Sequence, residues 1–370
     1  MTHQLETKLA QAGNRSDSAT GAVSLPIHLS TAYIHPGIGQ STGYDYSRTA
    51  NPTRTALELT LADLERGDHG FAFSSGMAAV HAVLQLFKLG DELVVSEDLY
   101  GGSYRLFHQL EERTGLHFRY VDTSKLQSIE AAITERTKAV FIESPTNPLM
   151  KETDIQAVAE LAKGHDILLI VDNTFYTPIL QQPITLGADI VIHSATKYLG
   201  GHNDVLAGAV ITKGQALGEQ LTIIQNSIGA VPSPLDCWLL VRSLKTLGLR
   251  VERQQQNAQK LAEFLTQHVA IDSVLYPGKG GMLSFRLQKE EWVPQFLERL
   301  TLIAFAESLG GVESFITYPT TQTHADIPVA ERERVGICGR LLRFSVGIEH
   351  VDDLKAELQH ILDGLVGEAE

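Results

Sequence analysis

Two stretches decide the fold of this sequence: ILLIVDNT at residues 167–174 and DIVIHSATKY at residues 189–198. Each begins with an apolar run that lacks the alternation of a half-exposed strand, which is typical of strands buried on both faces of a parallel sheet. Comparable apolar runs occur at residues 93–96, 139–143 and 206–211. Helix-length segments separate the runs, for example at residues 76–89, 102–114 and 154–165. Since crossover helices join parallel strands, we predict an α/β fold with a large, mostly parallel sheet.

The two ends of the chain differ from this central part. Residues 1–53 are rich in small, polar and turn-forming residues without sustained periodicity, so we expect an extended arm. Residues 54–250 hold the repeated strand and helix pattern of the α/β domain. Residues 251–370 are predicted to form a smaller α+β domain, with helices at 251–268 and from Val351, and strands at 282–287 and 341–347.

The composition excludes several classes of protein. The 370 residues include 44 Asp and Glu against 30 Lys and Arg, and this net charge of −14 disfavours nucleic acid as a partner. With 43% hydrophobic and 20% charged residues, the chain can form a large core. The apolar runs are far shorter than the roughly 20 residues that cross a bilayer, and Glu6 and Lys8 interrupt the N-terminal segment. We therefore expect a cytoplasmic protein with no secretory signal and no membrane partner.

The cysteines and histidines do not suggest a metal site. Cys237 and Cys338 are too few for a disulfide framework or a tetrahedral zinc site, so we predict that both are small buried side chains. The 14 histidines show no His-Glu-x-x-His pattern, and His193 and His202 fall on different predicted elements. We expect no metal, with His202 in a loop.

In a sheet of this kind, ligands bind outside the carboxyl ends of the strands, so the residues that follow each run are the candidates. Five such ends carry polar, aromatic or charged groups: SSGMA at 74–78, DLYGG at 98–102, SPTNP at 144–148, Asp172 and Lys197. Most have an ordinary structural explanation, such as a serine helix cap, a packing tyrosine, a turn or a capping acid. Only Lys197 is unusual by itself, because lysine normally lies on a solvated surface.

Together these groups match one cofactor. Pyridoxal 5′-phosphate (PLP) requires a lysine for a Schiff base, an acid that keeps its ring nitrogen protonated, and an anion site for its phosphate. A helix that begins at Gly76 can bind a phosphate through its first backbone N–H groups. The spacing of Asp172 and Lys197 corresponds to about one strand–helix–strand step, so adjacent strand ends can present both to one ring.

The same segments resemble the Cys/Met-metabolism PLP enzymes. The resemblance rests on motifs that follow in order: YSR at 46–48 with NPTR at 51–54, SSGMA at 74–78, DLYGG at 98–102, DNT at 172–174, SATKY at 194–198 and ESLGGVES at 307–314. It extends over nearly the whole chain and implies the aspartate-aminotransferase-like PLP fold, fold type I. Within the family it is closest to the cystathionine γ-synthases, including those that also act as O-acetylhomoserine thiolyases.

The resemblance implies a role for each catalytic group. Lys197 would form the Schiff base with PLP and later shuttle protons. Asp172 would pair with the pyridinium nitrogen, and Tyr100 would stack on the ring and assist proton transfer.

It also implies how the phosphate is held. The groups concerned are the backbone N–H groups of Gly76 and Met77 and the hydroxyls of Ser194 and Thr196. Tyr46 and Arg48 would reach the phosphate from a neighbouring subunit, which gives the N-terminal arm a purpose and implies at least a dimer. The family commonly forms a tetramer of two such dimers.

Arg343, in LLRFS at 341–345, matches the arginine that binds the substrate α-carboxylate, with Asn147 nearby. A surface arginine on an edge strand is the alternative. Alternation argues against it, because Leu341, Arg343 and Ser345 share one strand face that can border a polar cleft.

The implied reaction replaces the acyl group of O-acyl-homoserine, expected to be acetyl, by cysteine to give cystathionine, or by sulfide to give homocysteine, in methionine biosynthesis. Gly102 stands where methionine γ-lyases carry cysteine, and Glu307 where cystathionine β-lyases typically carry tryptophan. Arg105 matches a γ-synthase residue proposed to meet a distal carboxylate, and it does not settle the direction of the reaction. Residues 276–285 resemble those of bacterial γ-synthases, but a cystathionine γ-lyase remains the alternative.

A nucleotide-binding module is the alternative from another class. GIGQSTG at 37–43 has one residue too many between its second and third glycines, and GKGG at 278–281 lacks the earlier glycine and the following Ser or Thr of a P-loop. A non-catalytic relative with the same fold would be expected to have lost Lys197 or Asp172, and both are present.

Overall fold

A computed structural model describes residues 3–368 of the chain. The chain divides into two compact units, each made of two segments. The first unit comprises the described residues up to Lys88 together with Ala159–Gly248, and the second comprises Leu89–Val158 together with the described residues from Leu249 onward. The boundaries predicted from the sequence, at residues 53 and 250, stay predictions.

In chain order, the helices and strands of the described residues are α1 (Leu5–Ala10), α2 (Pro52–Glu65), β1 (His69–Phe73), α3 (Gly76–Leu84), β2 (Glu92–Ser96), α4 (Gly101–Thr114), β3 (His117–Val121), α5 (Leu126–Ala132), β4 (Thr137–Glu143), α6 (Ile155–Gly164), β5 (Leu168–Asp172), α7 (Thr177–Leu180), β6 (Ile190–His193), β7 (Gly208–Thr212), α8 (Gln215–Ile228), α9 (Pro234–Leu244), α10 (Leu247–Gln267), β8 (Ile271–Leu275), β9 (Met282–Leu287), α11 (Trp292–Glu298), β10 (Ala304–Phe305), β11 (Phe315–Thr317), α12 (Val329–Val335), β12 (Leu341–Ser345) and α13 (Val351–Gly367). A short 3-10 helix, Pro183–Leu186, precedes β6.

The strands of the first unit lie in the order β1-β7-β6-β5. β5 and β6 are parallel, whereas β7 pairs antiparallel with both β6 and β1. β6 and β7 are buried along their whole length, which explains why their sequences are apolar without alternation. The strands predicted at residues 167–171, 189–193 and 206–211 are confirmed as β5, β6 and β7, with ends that differ by one or two residues.

The second unit carries two groups of strands. β4, β2 and β3 run parallel in that order. A separate sheet has the order β10-β11-β12-β9-β8 and is antiparallel except for the pair β10 and β11. Leu261 of α10, Phe296 of α11 and Leu358 of α13 share an apolar core with Phe285 of β9 and Phe344 of β12. The smaller α+β domain predicted in the C-terminal part is confirmed.

One predicted helix is too long, and two strands of the structure were not predicted. The helix predicted at residues 76–89 ends at Leu84, because the N–H groups of Gln85, Leu86 and Phe87 bond to carbonyls three residues earlier and tighten the chain into turns. The apolar spacing continues past that point, which is why the prediction ran on. Strands β3 and β8 were not predicted, because each lies at the end of its group and mixes polar with apolar residues.

The N-terminal arm is not extended throughout. Residues of α1 form a short helix that buries Leu9, so the prediction of an arm without folded structure is wrong there. Residues 27–50 are largely exposed, with one isolated bridge between Ala32 and Tyr46.

The two cysteines differ in burial. Cys237 is fully buried, as predicted, whereas Cys338 is only partly buried at the edge of a small cluster of Leu149, Ile337 and Leu341. The prediction of burial is therefore wrong for Cys338. In the part of the chain that the structure describes, no helix combines the length and the apolar character needed to span a bilayer.

Candidate active site

Gly76 and Met77, two residues predicted to bind a phosphate, begin α3 in the first unit, and Ser194 lies against Gly76; we call these three residues the cradle. The Ser75 Oγ accepts the N–H of Ala78 at 3.0 Å, and the N–H groups of Gly76 and Met77 lie in the first turn, where no intrahelical acceptor exists. A Cβ added at Gly76 would come within 2.8 Å of the Ser194 Cβ. Two segments predicted to hold a phosphate are therefore brought into contact, and only glycine allows it.

The turn that carries Lys197 follows β6 directly. The Lys197 N–H donates to the Ser194 carbonyl at 3.1 Å, so the lysine and the cradle serine belong to one turn. The Thr196 hydroxyl donates to the Ala207 carbonyl at 3.1 Å and accepts the Ala207 N–H at 3.0 Å. Thr196 thereby fastens this turn to the segment that enters β7.

Asp172 ends β5 beside β6. Its Oδ1 accepts the Thr174 N–H at 2.9 Å, and the Thr174 Oγ1 in turn accepts the Ser194 N–H at 2.8 Å. Burial raises the pKa of Asp172, although hydrogen bonds from Thr174 and the charge of His193 act in the opposite direction. A cationic group near this carboxylate would offset the cost of burying its charge.

Tyr46 and Arg48 lie beside α8 in the first unit. Arg48 Nη1 donates to the Asn226 Oδ1 at 2.8 Å, and the Arg48 guanidinium lies 5.7 Å from the centroid of the Tyr46 ring. Arg54, which is buried, donates to the backbone carbonyls of residues 47–49 at 2.6–3.1 Å and holds this segment in place. Sequence reasoning assigned no role to Arg54. The sequence held one sign of this role, which is an arginine close to the start of a helix. If such a charge is buried, it must find hydrogen-bond acceptors.

Tyr100 occupies the N-cap position of α4 in the second unit, without a capping hydrogen bond from its side chain. Its N–H donates to the Glu143 Oε2 at 3.0 Å. A Cβ added at Gly102 would lie 2.4 Å from the Tyr100 ring, so the glycine makes room for that ring. Burial and the negative charge of Glu307 raise the pKa of Tyr100, and its phenol is therefore protonated at neutral pH.

Arg343 lies on β12, between β11 and β9, and is only 2% exposed. Its Nη1 donates to the Asn147 Oδ1 at 3.0 Å, and its Nη2 donates to the Ser308 carbonyl and to the Thr317 Oγ1, each at 3.0 Å. Phe344, on the opposite strand face, belongs to the apolar core, as the alternation predicted. A surface arginine on an edge strand is excluded.

Arg105 and Glu307 are exposed, unlike Asn147 and Arg343, the other two residues predicted to bind the substrate. Arg105 Nη1 forms an ion pair with Asp326 Oδ2 at 2.5 Å. Glu307 raises the pKa of Tyr100 whereas Arg105 lowers it, so both side chains lie near enough to influence the phenol.

Sequence reasoning also missed Asp98 and His324. The Asp98 Oδ2 accepts the Thr146 hydroxyl at 2.5 Å, and burial raises the pKa of Asp98 to about 6. His324 is fully buried, with Nε2 at 2.9 Å from the Asn147 carbonyl. The position of Asp98 after a buried strand was a usable signal, whereas no local pattern distinguishes His324.

The sequence profile described as Cys/Met metabolism PLP-dependent enzyme matches residues 6–363. The chain belongs to this family. It is 63% identical over 362 residues to the cystathionine gamma-synthase/O-acetylhomoserine (thiol)-lyase of Bacillus subtilis (strain 168), a match that covers 98% of this chain and 97% of that protein. It is 50% identical over 376 residues to the cystathionine gamma-lyase of the same organism, covering 97% of this chain and 99% of the relative.

A solved structure agrees with this assignment. The crystal structure of the cystathionine gamma synthase from Xanthomonas oryzae pv. oryzae in complex with cystathionine is similar with a TM-score of 0.96 and 40% identity, and the match covers 98% of each chain. The resemblance noted in the sequence and the PLP fold of type I are thereby confirmed.

This Cys/Met metabolism enzyme uses PLP as its cofactor. The residues of the first unit fit that cofactor, because the cradle offers N–H and hydroxyl groups to a phosphate and Asp172 is a partly buried carboxylate suited to a protonated ring nitrogen. The individual site assignments made from the sequence stay predictions.

Proposed function

We propose that this enzyme is a cystathionine γ-synthase, which replaces the acyl group of O-acyl-homoserine by cysteine. We infer that the acyl group is acetyl and that sulfide can replace cysteine, giving homocysteine. The observation that carries the proposal is the 63% identity to a protein with both activities in its name, against 50% to a gamma-lyase. Glu307 supports the proposal against a cystathionine β-lyase, because the resemblance associates tryptophan at this position with the β-lyases.

The residues of the first unit would hold PLP, which when bound withdraws electrons from the substrate through its protonated ring. We assign the Lys197 amine to the aldehyde carbon of the cofactor and the Asp172 carboxylate to the ring nitrogen. The phosphate would be bound by the N–H groups of Gly76 and Met77 and by the hydroxyls of Ser194 and Thr196, and the Thr196 hydroxyl would turn its proton from the Ala207 carbonyl to the phosphate.

In the second unit, Arg343 would bind the α-carboxylate of the substrate. A guanidinium can present two parallel N–H groups to a carboxylate. Because both N–H groups of Nη2 donate to Ser308 and Thr317, the substrate carboxylate would replace one of these two acceptors. With its Oδ1 bound to Arg343, Asn147 offers a ligand its amide N–H groups. Arg105 and Glu307, both exposed, are proposed to meet the distal part of the substrate.

Proton movement is assigned to Lys197 and Tyr100. A lysine amine on a flexible stem can take a proton from one carbon and return it to another. The raised pKa of Tyr100 keeps its phenol protonated, so it can donate a hydrogen bond or a proton to the reacting groups. The resemblance implies that the Tyr100 ring stacks on the ring of the cofactor.

Over the whole reaction, one C–O bond at Cγ of the substrate breaks and one C–S bond forms there. The acyl group leaves as its carboxylate, and the thiol of cysteine loses its proton. Sulfide would undergo the same exchange.

We propose that Tyr46 and Arg48 serve the phosphate of a neighbouring subunit, so that the active unit is at least a dimer and the assembly a tetramer of two dimers. The buried Arg54 supports this, because it fixes residues 47–49 while the Tyr46 side chain stays 49% exposed. We also propose that the enzyme acts in the cytoplasm, in methionine biosynthesis.

Product analysis by mass spectrometry tests the reaction. Purified holoenzyme is incubated with O-acetylhomoserine plus cysteine, with O-acetylhomoserine plus sulfide, and with cystathionine alone, and O-succinylhomoserine replaces the acetyl ester in a parallel series. We expect cystathionine in the first mixture and homocysteine in the second. Cysteine and 2-oxobutyrate from the third mixture, with the first two silent, would make the enzyme a cystathionine γ-lyase instead.

A further inference from the structure

The second unit holds a buried histidine that the proposed chemistry does not use. His324 is 0% exposed, and its ring makes hydrogen bonds on both nitrogens. Nε2 lies 2.9 Å from the backbone carbonyl oxygen of Asn147, and Nδ1 lies 2.8 Å from the Thr323 Oγ1. Since a carbonyl oxygen can only accept, Nε2 carries the proton, and Nδ1 accepts the hydroxyl of Thr323. One neutral tautomer satisfies both bonds.

The ring stays neutral at the pH of the cell. Burial lowers the pKa of His324 to about 4, and the charge of Arg343 acts in the same direction, although hydrogen bonds to the backbone of Asn147 and Leu99 act against them. A neutral ring adds no positive charge beside Arg343. The guanidinium is therefore not repelled from the place where it contacts Asn147.

His324 lies where three segments of the second unit meet. Its ring contacts the backbone of Leu99, next to Tyr100, and the backbone of Asn147. Its own segment packs closely on α4, because a Cβ added at Gly101 would lie 2.1 Å from the Thr323 carbonyl oxygen. The histidine is thus held by close packing and by two hydrogen bonds, one of which is made to Asn147.

We propose that His324 is a positioning residue for the substrate α-carboxylate, acting through Asn147. By binding the Asn147 backbone carbonyl, it sets the side-chain amide whose Oδ1 accepts from Arg343 at 3.0 Å. The inference rests on the part of the proposed function that assigns Asn147 and Arg343 to the carboxylate. It does not depend on which acyl group or sulfur donor is used.

Titration of the holoenzyme with L-alanine tests the inference, because this α-amino acid carries the carboxylate but no leaving group. Binding is read from the change in the visible absorbance of the cofactor. We expect His324→Leu to raise the Kd about tenfold, the effect of one lost hydrogen bond, with the cofactor content per chain unchanged. His324→Gln keeps a neutral donor and acceptor, and its Kd should stay within about threefold of the parent value.

A purely structural role for His324 would lower the melting temperature without changing the Kd. A double-mutant cycle separates the structural role from the positioning role. In a variant that already carries Asn147→Ala, adding His324→Leu should raise the Kd by less than about twofold. An unchanged Kd in His324→Leu, or the full tenfold effect in the Asn147→Ala background, would overturn the inference.

Two further arms keep the test decisive. If His324→Leu does not fold, Thr323→Val removes the hydroxyl that orients the ring; we expect a Kd about threefold higher, and an unchanged Kd would count against the inference. A parent enzyme whose absorbance does not respond to L-alanine would overturn the carboxylate assignment and this inference with it. Failure of the proposed reaction would instead appear as missing cystathionine, which the titration does not measure.

Discussion

The two units of the chain assemble their functional groups in different ways. In the first unit, the groups assigned to the cofactor come from short contiguous segments at 74–78, 172–174 and 194–198, and several of them are backbone N–H groups or small hydroxyls. In the second unit, Arg343 binds Asn147, which is 196 residues away in the sequence. The cofactor groups therefore depend on local backbone geometry, whereas the substrate groups depend on long side chains held by packing.

The largest effect is expected in the first unit, at Lys197. Lys197→Ala removes the amine assigned to both the cofactor aldehyde and proton transfer, so we expect loss of the visible absorbance and a fall in turnover of about 10³-fold or more. Absorption spectra and product assays measure both, and circular dichroism checks that the fold is intact. Turnover retained at the parental rate would contradict the assignment of Lys197.

Arg343→Lys should produce the next largest effect, and it should leave the binding of PLP unchanged. A single ammonium group cannot present the paired N–H groups of a guanidinium and also contact three acceptors, so we expect KM for the amino-acid substrate to rise about 100-fold. PLP content, measured from the absorbance of the purified enzyme, should stay at the parental level. Loss of PLP with an unchanged KM would contradict the assignment of substrate binding to the second unit and cofactor binding to the first.

A matched pair of glycine substitutions gives the smallest effects and the sharpest comparison. A Cβ at Gly76 would meet Ser194 at 2.8 Å, and a Cβ at Gly102 would meet the Tyr100 ring at 2.4 Å. We expect Gly76→Ala to weaken PLP binding about tenfold with little change in KM, and Gly102→Ala to lower kcat about tenfold with PLP retained. Equilibrium dialysis with PLP and steady-state kinetics measure the two outcomes, and identical behaviour of the two variants would contradict the comparison.

The predictability of the fold differed between the units as well. β5, β6 and β7 were predicted because burial on both faces demands apolar residues at every position. β3 and β8 were missed because strands at the end of a sheet tolerate polar residues that hide the pattern. The helix after Gly76 was predicted too long, since apolar spacing does not show where hydrogen bonding shifts to a tighter turn.

The sequence by itself determined the α/β class, the strand ends that carry Asp172 and Lys197, and the identity of the cofactor. Those features depend on residues close together in the chain, where periodicity and motif spacing leave a trace. Only the tertiary structure decided the three acceptors of Arg343, the hydrogen bonds from Arg54 to the carbonyls of residues 47–49, and the raised pKa of Asp98. It also decided the hydrogen bond from His324 to Asn147, which spans 177 residues of sequence. Burial and contact between such distant groups arise from packing, and packing has no repeat that a linear sequence displays.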